Sequence, residues 1–332
     1  MRTIALEEHF NIPSLVARIS PEVIRRRGYP PQEELPEGNR RAREHLADLG
    51  AARLADMDAA GITTQVLSLA GPGADLLPPS EGVPWARAAN DTLARAVAGH
   101  PVRFAGFAHL PMTDPAAAAD ELERAVTSLG FVGALVNGTT DGAFLDDPKF
   151  EPILDRATRL DVPIYIHPNI PPAPVREAYY GGLPVPMGFL LSIAGFGWHA
   201  ETAIHALRLI FSGTLERHPK LKLIIGHMGE GLPMTMARTD GMSRGETGKY
   251  MSRSVAEQLR EQVWVTTSGQ FTFPPLRALI DTFGIDRVLF SIDYPFSPNA
   301  RGRAFLDGLP LAPADVERIA HGNADRLLRL RG

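Results

Sequence analysis

Short, nearly continuous apolar runs alternate with longer amphipathic stretches from one end of the chain to the other. Ile4 and Leu6 lead into Glu7-Glu8-His9-Phe10 and stop at Asn11-Ile12-Pro13, which predicts a first strand ending at a proline-marked turn. Ser14 to Arg27 reads as helix. Gly28 to Arg43, rich in Pro, Gly and charge, reads as a long loop, a kind of segment that is functional or disordered. Leu46, Leu49, Leu54 and Met57 have helical spacing between His45 and Ala60, with Gly61 as a carboxyl-terminal cap. A second strand, Thr64 to Leu69, follows. The unit then recurs as helix Trp85 to Ala98, strand Arg103 to Leu110, helix Pro115 to Ser128, strand Phe131 to Asn137, helix Asp147 to Leu160 and strand Val162 to His167. A Pro- and Gly-dense segment from Pro168 to Gly188 precedes an apolar helical region, Phe189 to Leu215. Strands Leu221 to His227, Val263 to Ser268 and Arg287 to Asp293 complete the set, and Pro313 to Leu330 is the closing helix.

Eight strands alternating with helices, with runs apolar enough to be buried on both faces, predict an α/β (β/α)8 TIM barrel. It carries a long loop after strand one and an extended segment after strand five. A doubly wound sheet is disfavoured because no Gly-x-Gly-x-x-Gly follows the first strand. No linker or short repeat divides the sequence, so residues 1–332 are expected to form one domain.

Composition narrows the chemistry. A net charge of -4 without long single-sign runs gives no electrostatic reason to expect a nucleic acid or membrane partner. With no cysteine, any metal must be held by His, Asp, Glu or backbone oxygen. The amino terminus has no secretory-signal pattern and no stretch is long enough to span a bilayer, so a cytoplasmic location is expected.

In a (β/α)8 barrel the carboxyl ends of the strands build the active site. Here those ends carry Glu7 and His9 on strand one, His167 on strand five, His227 on strand six and Asp293 on strand eight. Alternation along a strand puts Glu7 and His9 on one face and Glu8 on the other. Each residue alone has an ordinary reading: a strand histidine is usually a hydrogen-bonded structural group, and Asp293 before Tyr294-Pro295 suits a turn. Together, on four separate strands, they favour a site for a divalent metal. His109, near the end of strand three, is the one other histidine expected within reach, whereas His199, beside Trp198, does not share the pattern.

The pieces Ala5-Leu6-Glu7-Glu8-His9-Phe10, Gly130 to Gly138, Ile166-His167-Pro168, Glu201 to Leu209, Gly226 to Pro233, Thr266-Thr267-Ser268-Gly269 and Ser291 to Phe296 resemble the metal-dependent amidohydrolase superfamily. Within it they are similar to the aromatic-acid decarboxylases of the γ-resorcylate and 2,3-dihydroxybenzoate type. The resemblance implies one divalent ion, zinc first with manganese or magnesium as alternatives, held by Glu7, His9, His167 and Asp293. It further implies that His227, supported by Glu230, stands beside the ion and that Arg238 helps hold the substrate. Strand four ends in Asn137 where the broader superfamily often has a bridging lysine, which points to one ion rather than two. The loop after His167, through Tyr179-Tyr180-Gly181-Gly182 and Pro184-Val185-Pro186, departs from the decarboxylase pattern.

Two reactions fit. The first is non-oxidative decarboxylation of a small ortho-hydroxylated aromatic carboxylic acid, with the metal chelating the substrate, Asp293 as proton donor, and Phe10 and Phe296 walling the ring. The alternative is hydrolysis of a lactone or amide by a metal-activated water. Barrels of this kind often self-associate, so a homo-oligomer is expected.

Overall fold

The computed structural model describes residues 1–30, 37–184 and 186–330 of the chain. Nine short strands, all paired in parallel, form the staves of a (β/α)8 barrel: β1 (Ile4–Phe10), β2 (Thr64–Leu69), β3 (Phe104–Gly106), β4 (Ala108–His109), β5 (Ala134–Asn137), β6 (Ile164–His167), β7 (Leu223–Ile225), β8 (Val263–Thr266) and β9 (Val288–Leu289). β3 and β4 are two halves of one stave, interrupted at Phe107, whose N–H still donates to Leu67 O of β2. The ring closes where Leu6 meets Ser291 in a parallel bridge and donates to Phe290 O at 3.2 Å.

Two apolar layers hold it together. Ile4, Leu6, Val66, Phe107, Tyr165, Ile224 and Leu289 fill the barrel's interior, while Leu67, Leu69, Val136, Ile166, Ile225 and Val265 face the surrounding helices. Every strand is thus buried on both faces, the reason the runs read as apolar rather than alternating. Each fully buried aliphatic or aromatic side chain contributes about 1.5–3 kcal/mol relative to exposure.

The strands begin later or end sooner than the apolar runs suggest, because the runs continue into buried turns; His227, for instance, starts a short helical turn after β7 rather than ending the strand. Several helical expectations change: Ser14 to Arg27 is two helices, Pro13–Arg18 and Pro21–Arg27, and the closing helix is broken at Arg318–Gly322. Glu37–His45 is helix where a loop was expected, and the next helix starts at Ala51, not His45. The remainder of that loop, 31–36, and Val185 of the segment after strand five lie outside the described residues. The region Phe189 to Leu215 is broken into Met187–Leu190, a widened turn at Leu191–Gly195, helix Gly197–Phe211 and a last turn Thr214–Arg217. A Cβ at Gly197 would lie 2.2 Å from Ser192 O, so the backbone doubles back there in a way hydrophobic spacing does not register. Among the described residues no helix is long and apolar enough to cross a membrane.

Candidate metal centre and active site

The site depends on an irregularity in β1. Ile4 and Leu6 point into the barrel, so strict alternation would send Glu7 and His9 outward to the helices. Instead the pairing with β2 slips by one residue between Ala5 and Glu8, and Glu7 takes a left-handed backbone, φ 61°. This bulge resets the parity. Leu6 and Glu7 both turn inward, Glu8 faces out opposite Leu67, and His9 faces in opposite Ser68. Phe10 goes outward with Leu69 into the layer under the helices. Its expected place at the substrate ring is therefore corrected: Phe10 packs behind the barrel wall.

Glu7, His9 and His167 each offer one ligand atom, and the three atoms lie within 4.8 Å of one another. The donor state of each is set by its surroundings. Oε2 of Glu7 accepts from the hydroxyls of Tyr165 and Ser268, and a Cβ at residue 226, a glycine, would come within 2.9 Å of it. Oε1 has no hydrogen-bond partner and lies 3.3 Å from His167 Nε2. In His9, Nδ1 is 3.3 Å from Ser68 Oγ, while the buried Nε2 has no hydrogen-bond partner. Burial pulls the His9 imidazole down to about 4 and, with His9 beside it, that of His167 down to about 3, so both rings are neutral near pH 7 with lone pairs free. Bare, buried, converging oxygen and nitrogen donors are costly unless something occupies the point they face, and their types fit one divalent ion.

A second acidic-histidine group stands alongside and is of a different kind. Glu230 gives one oxygen to His227 Nδ1 at 2.8 Å and the other to His199 Nδ1 at 2.5 Å, and His199 Nε2 reaches Ala194 O. With both carboxylate oxygens engaged, this group does not call for a second ion. Burial alone would lower the His227 pKa, but Glu230 and Glu7 outweigh it and lift it to about 10. The two carboxylates thus favour the charged form of His227, whose Nε2 lies 3.7 Å from Glu7 Oε1. His199 was passed over in the sequence; it lies in the first turn of helix Gly197–Phe211, beside Trp198, where no strand end marks it.

Asp293, expected as a fourth ligand, stands outside the mutual group of three, with Oδ1 3.2 Å from His9 Nε2. Burial pushes its carboxyl up to about 7. Its backbone is left-handed, φ 72°, and five of the eight described non-glycine residues with positive φ are Glu7, His227, Met228, Glu230 and Asp293. Such strain, about 1–3 kcal/mol each, persists where the surroundings over-determine the conformation. For Asp293 the surroundings are Glu8: its two carboxylate oxygens accept from Ile292 N and Tyr294 N, the amides on either side, at 2.9 Å each. Glu8→Gln puts an NH2 against one of those amides. The expected result is a loss of about 1–3 kcal/mol in stability by denaturation and a kcat roughly 10-fold lower with bound metal unchanged; a kcat equal to the parent's contradicts the clamp.

These residues open into a cavity of about 700 Å³ at the carboxyl ends of the strands, shared by His9, Asn137, His167, His227 and Asp293. Trp198 and Phe296 flank the histidines, with ring centroids 6.4 Å from His167 and 5.8 Å from His9 respectively. Arg43 is the only Arg or Lys among the described residues that lines it, with Tyr29 nearby, whose hydroxyl donates to Asn169 Oδ1. Arg238, expected to help hold the substrate, does not line it: that side chain is exposed on helix Leu232–Thr247. His109 is buried away from it and accepts from Ala74 N, so it too is structural. A comparable cavity of about 750 Å³ at the other end of the barrel holds Lys222, Arg318 and Arg326, each already ion-paired with Asp161, Asp315 or Asp286.

Residues 10–330 match the amidohydrolase family. The γ-resorcylate decarboxylase of Rhizobium sp. strain MTP-10005 is 40% identical, over 99% of this chain and 98% of that protein. A crystal structure of dihydroxybenzoic acid decarboxylase from Polaromonas sp. JS666, with bound manganese and the inhibitor 2-nitroresorcinol, is 38% identical with a TM-score of 0.87, covering 100% of this chain and 98% of that one. The 5-carboxyvanillate decarboxylase of Novosphingobium aromaticivorans, complexed with manganese and 4-hydroxy-3-methoxy-5-nitrobenzoic acid, is 32% identical with a TM-score of 0.89, covering 99% and 96%.

Proposed function

Because this chain belongs to the amidohydrolase family, in its branch of metal-dependent aromatic-acid decarboxylases, we propose that it removes CO2 from an ortho-hydroxylated aromatic carboxylic acid. The observation that carries the reading is the pair of bare buried donors, Glu7 Oε1 and His9 Nε2, beside the raised carboxyl of Asp293. Glu7, His9 and His167 would hold the ion, which when bound supplies charge neutralisation and a fixed orientation for the carboxylate and the adjacent phenolic oxygen. We assign it as manganese rather than the zinc expected from sequence: a carboxylate and two imidazoles with no thiolate accept either, and two similar structures contain manganese. Elemental analysis of the purified protein decides the matter.

Asp293, carrying a proton, delivers it to the ring carbon that bears the carboxylate. The ring loses aromaticity, the bond to the carboxyl carbon breaks, its electrons return to the ring, and CO2 leaves. One proton is taken up and one C–H formed for each CO2 released. His227, charged and held by Glu230, donates from Nε2 toward the substrate oxygens and offsets their negative charge. Trp198 and Phe296 confine the ring. The hydrolytic alternative has no comparable support, since the relatives named above are decarboxylases.

Arg43 is assigned to the anionic end of the substrate as the cation lining the cavity. Arg43→Met is expected to raise KM about 10-fold or more with kcat within about threefold, the size of a lost charged hydrogen bond; an unaltered KM removes it from the binding site. The proposal as a whole is tested by offering manganese-loaded protein a panel of hydroxybenzoates and lactones, with CO2 release and acid production followed separately. Acid production from lactones without CO2 from any hydroxybenzoate reverses it.

A further inference from the structure

The cavity is larger and more apolar than a hydroxylated benzoate ring requires. His9, His167, His227 and Asp293 line one part of it, and Leu183, Met187, Phe189, Leu190, Leu191 and Ile193, from the stretch after strand five, supply much of its apolar lining. Leu183, Met187 and Leu191 are 43%, 50% and 40% exposed, so folding alone gains little from making them apolar. Their surface is continuous with the catalytic cluster inside one 700 Å³ space, a volume typical of pockets for ligands much larger than one small ring.

Resting on the decarboxylase reading, we infer that the substrate is an ortho-hydroxybenzoate bearing an extended apolar substituent, an alkyl chain of several carbons, which lies along Leu183 and residues 187–193. With Glu7, His9 and His167 holding the ion, the ring's carboxylate edge would face them and the substituent would project from the opposite edge. Water displaced from the leucine and methionine side chains supplies the preference.

The test is a series of 4-n-alkyl-2,6-dihydroxybenzoates from hydrogen to pentyl, assayed by CO2 release with the manganese-loaded full chain. The inference expects kcat/KM to rise about fourfold per methylene over the first carbons. In the double variant Met187→Ser, Leu191→Ser the ratio of pentyl to unsubstituted kcat/KM is expected to fall about 10-fold or more. A flat or falling series, or a ratio the variant leaves alone, overturns it. Calorimetric binding of the corresponding 5-alkylresorcinols separates this result from the reaction itself. Affinity that grows with chain length while no acid releases CO2 keeps the apolar subsite and rejects decarboxylation; affinity independent of chain length rejects the subsite even if CO2 is released.

Discussion

Asp293→Asn is expected to retain the fold and the bound ion and to lower kcat by about 10³-fold, within the range a positioned general acid contributes. The substitution is nearly isosteric, and the two amides that hold this position bond Glu8 rather than the Asp293 side chain, so the left-handed backbone has no reason to relax. Nor does the cluster Glu7, His9, His167 lose a member. What disappears is a carboxyl that burial keeps close to neutrality in its ionisation, beside the imidazolium of His227. An asparagine amide has no acidic proton to give to a ring carbon. The measurement is kcat together with metal per chain and circular dichroism; turnover within about 10-fold of the parent would take Asp293 out of the proton transfer.

His167→Ala is expected to act at the other half of the site, lowering manganese affinity by at least about 100-fold and abolishing measurable turnover at stoichiometric metal. Loss of a supporting group around a metal site already costs roughly 10–100-fold, and loss of a ligand costs more. The substitution shortens a side chain at the end of β6, where its backbone O still accepts from Gly138 N, so the barrel should survive. With His167 gone, only Glu7 and His9 remain of the three residues whose ligand atoms converge. Metal titration of dialysed protein checks this directly; unchanged stoichiometry and affinity would refute the ligand assignment. Excess manganese restoring part of the activity in the variant is the expected companion result.

The barrel was legible in the sequence because a strand buried on both faces must be apolar throughout, and that signal needs no knowledge of its neighbours. The ends of those strands were legible too: Glu7, His9, His167, His227 and Asp293 are polar residues at the close of apolar runs, and the structure places the last four around one cavity with Glu7 buried against His9 and His167. The same reasoning failed wherever a side chain's direction depended on something other than period. Alternation groups Glu7 with His9, yet alone it aims both at the helices; the bulge, a one-residue slip against β2, turns them inward and sends Phe10 out. His199 reaches Glu230 only because the chain doubles back before helix Gly197–Phe211. Arg238 lies on a helix whose exposed face no residue spacing marks as turned from the pocket.

By itself, then, the order of residues determined the staves, their burial and the ligand-type residues at their tips, since those follow from local hydrophobicity and from residue chemistry. Only the tertiary structure decided which atoms are left bare. Tyr165 of β6 and Ser268, just past β8, donate to Glu7 Oε2 and leave Oε1 unbonded, and Asp293 is held in place by Glu8 from across the closing seam of the barrel. Hydrogen-bond satisfaction is a property of groups that meet in space, and the chain brings these together from opposite ends of its length.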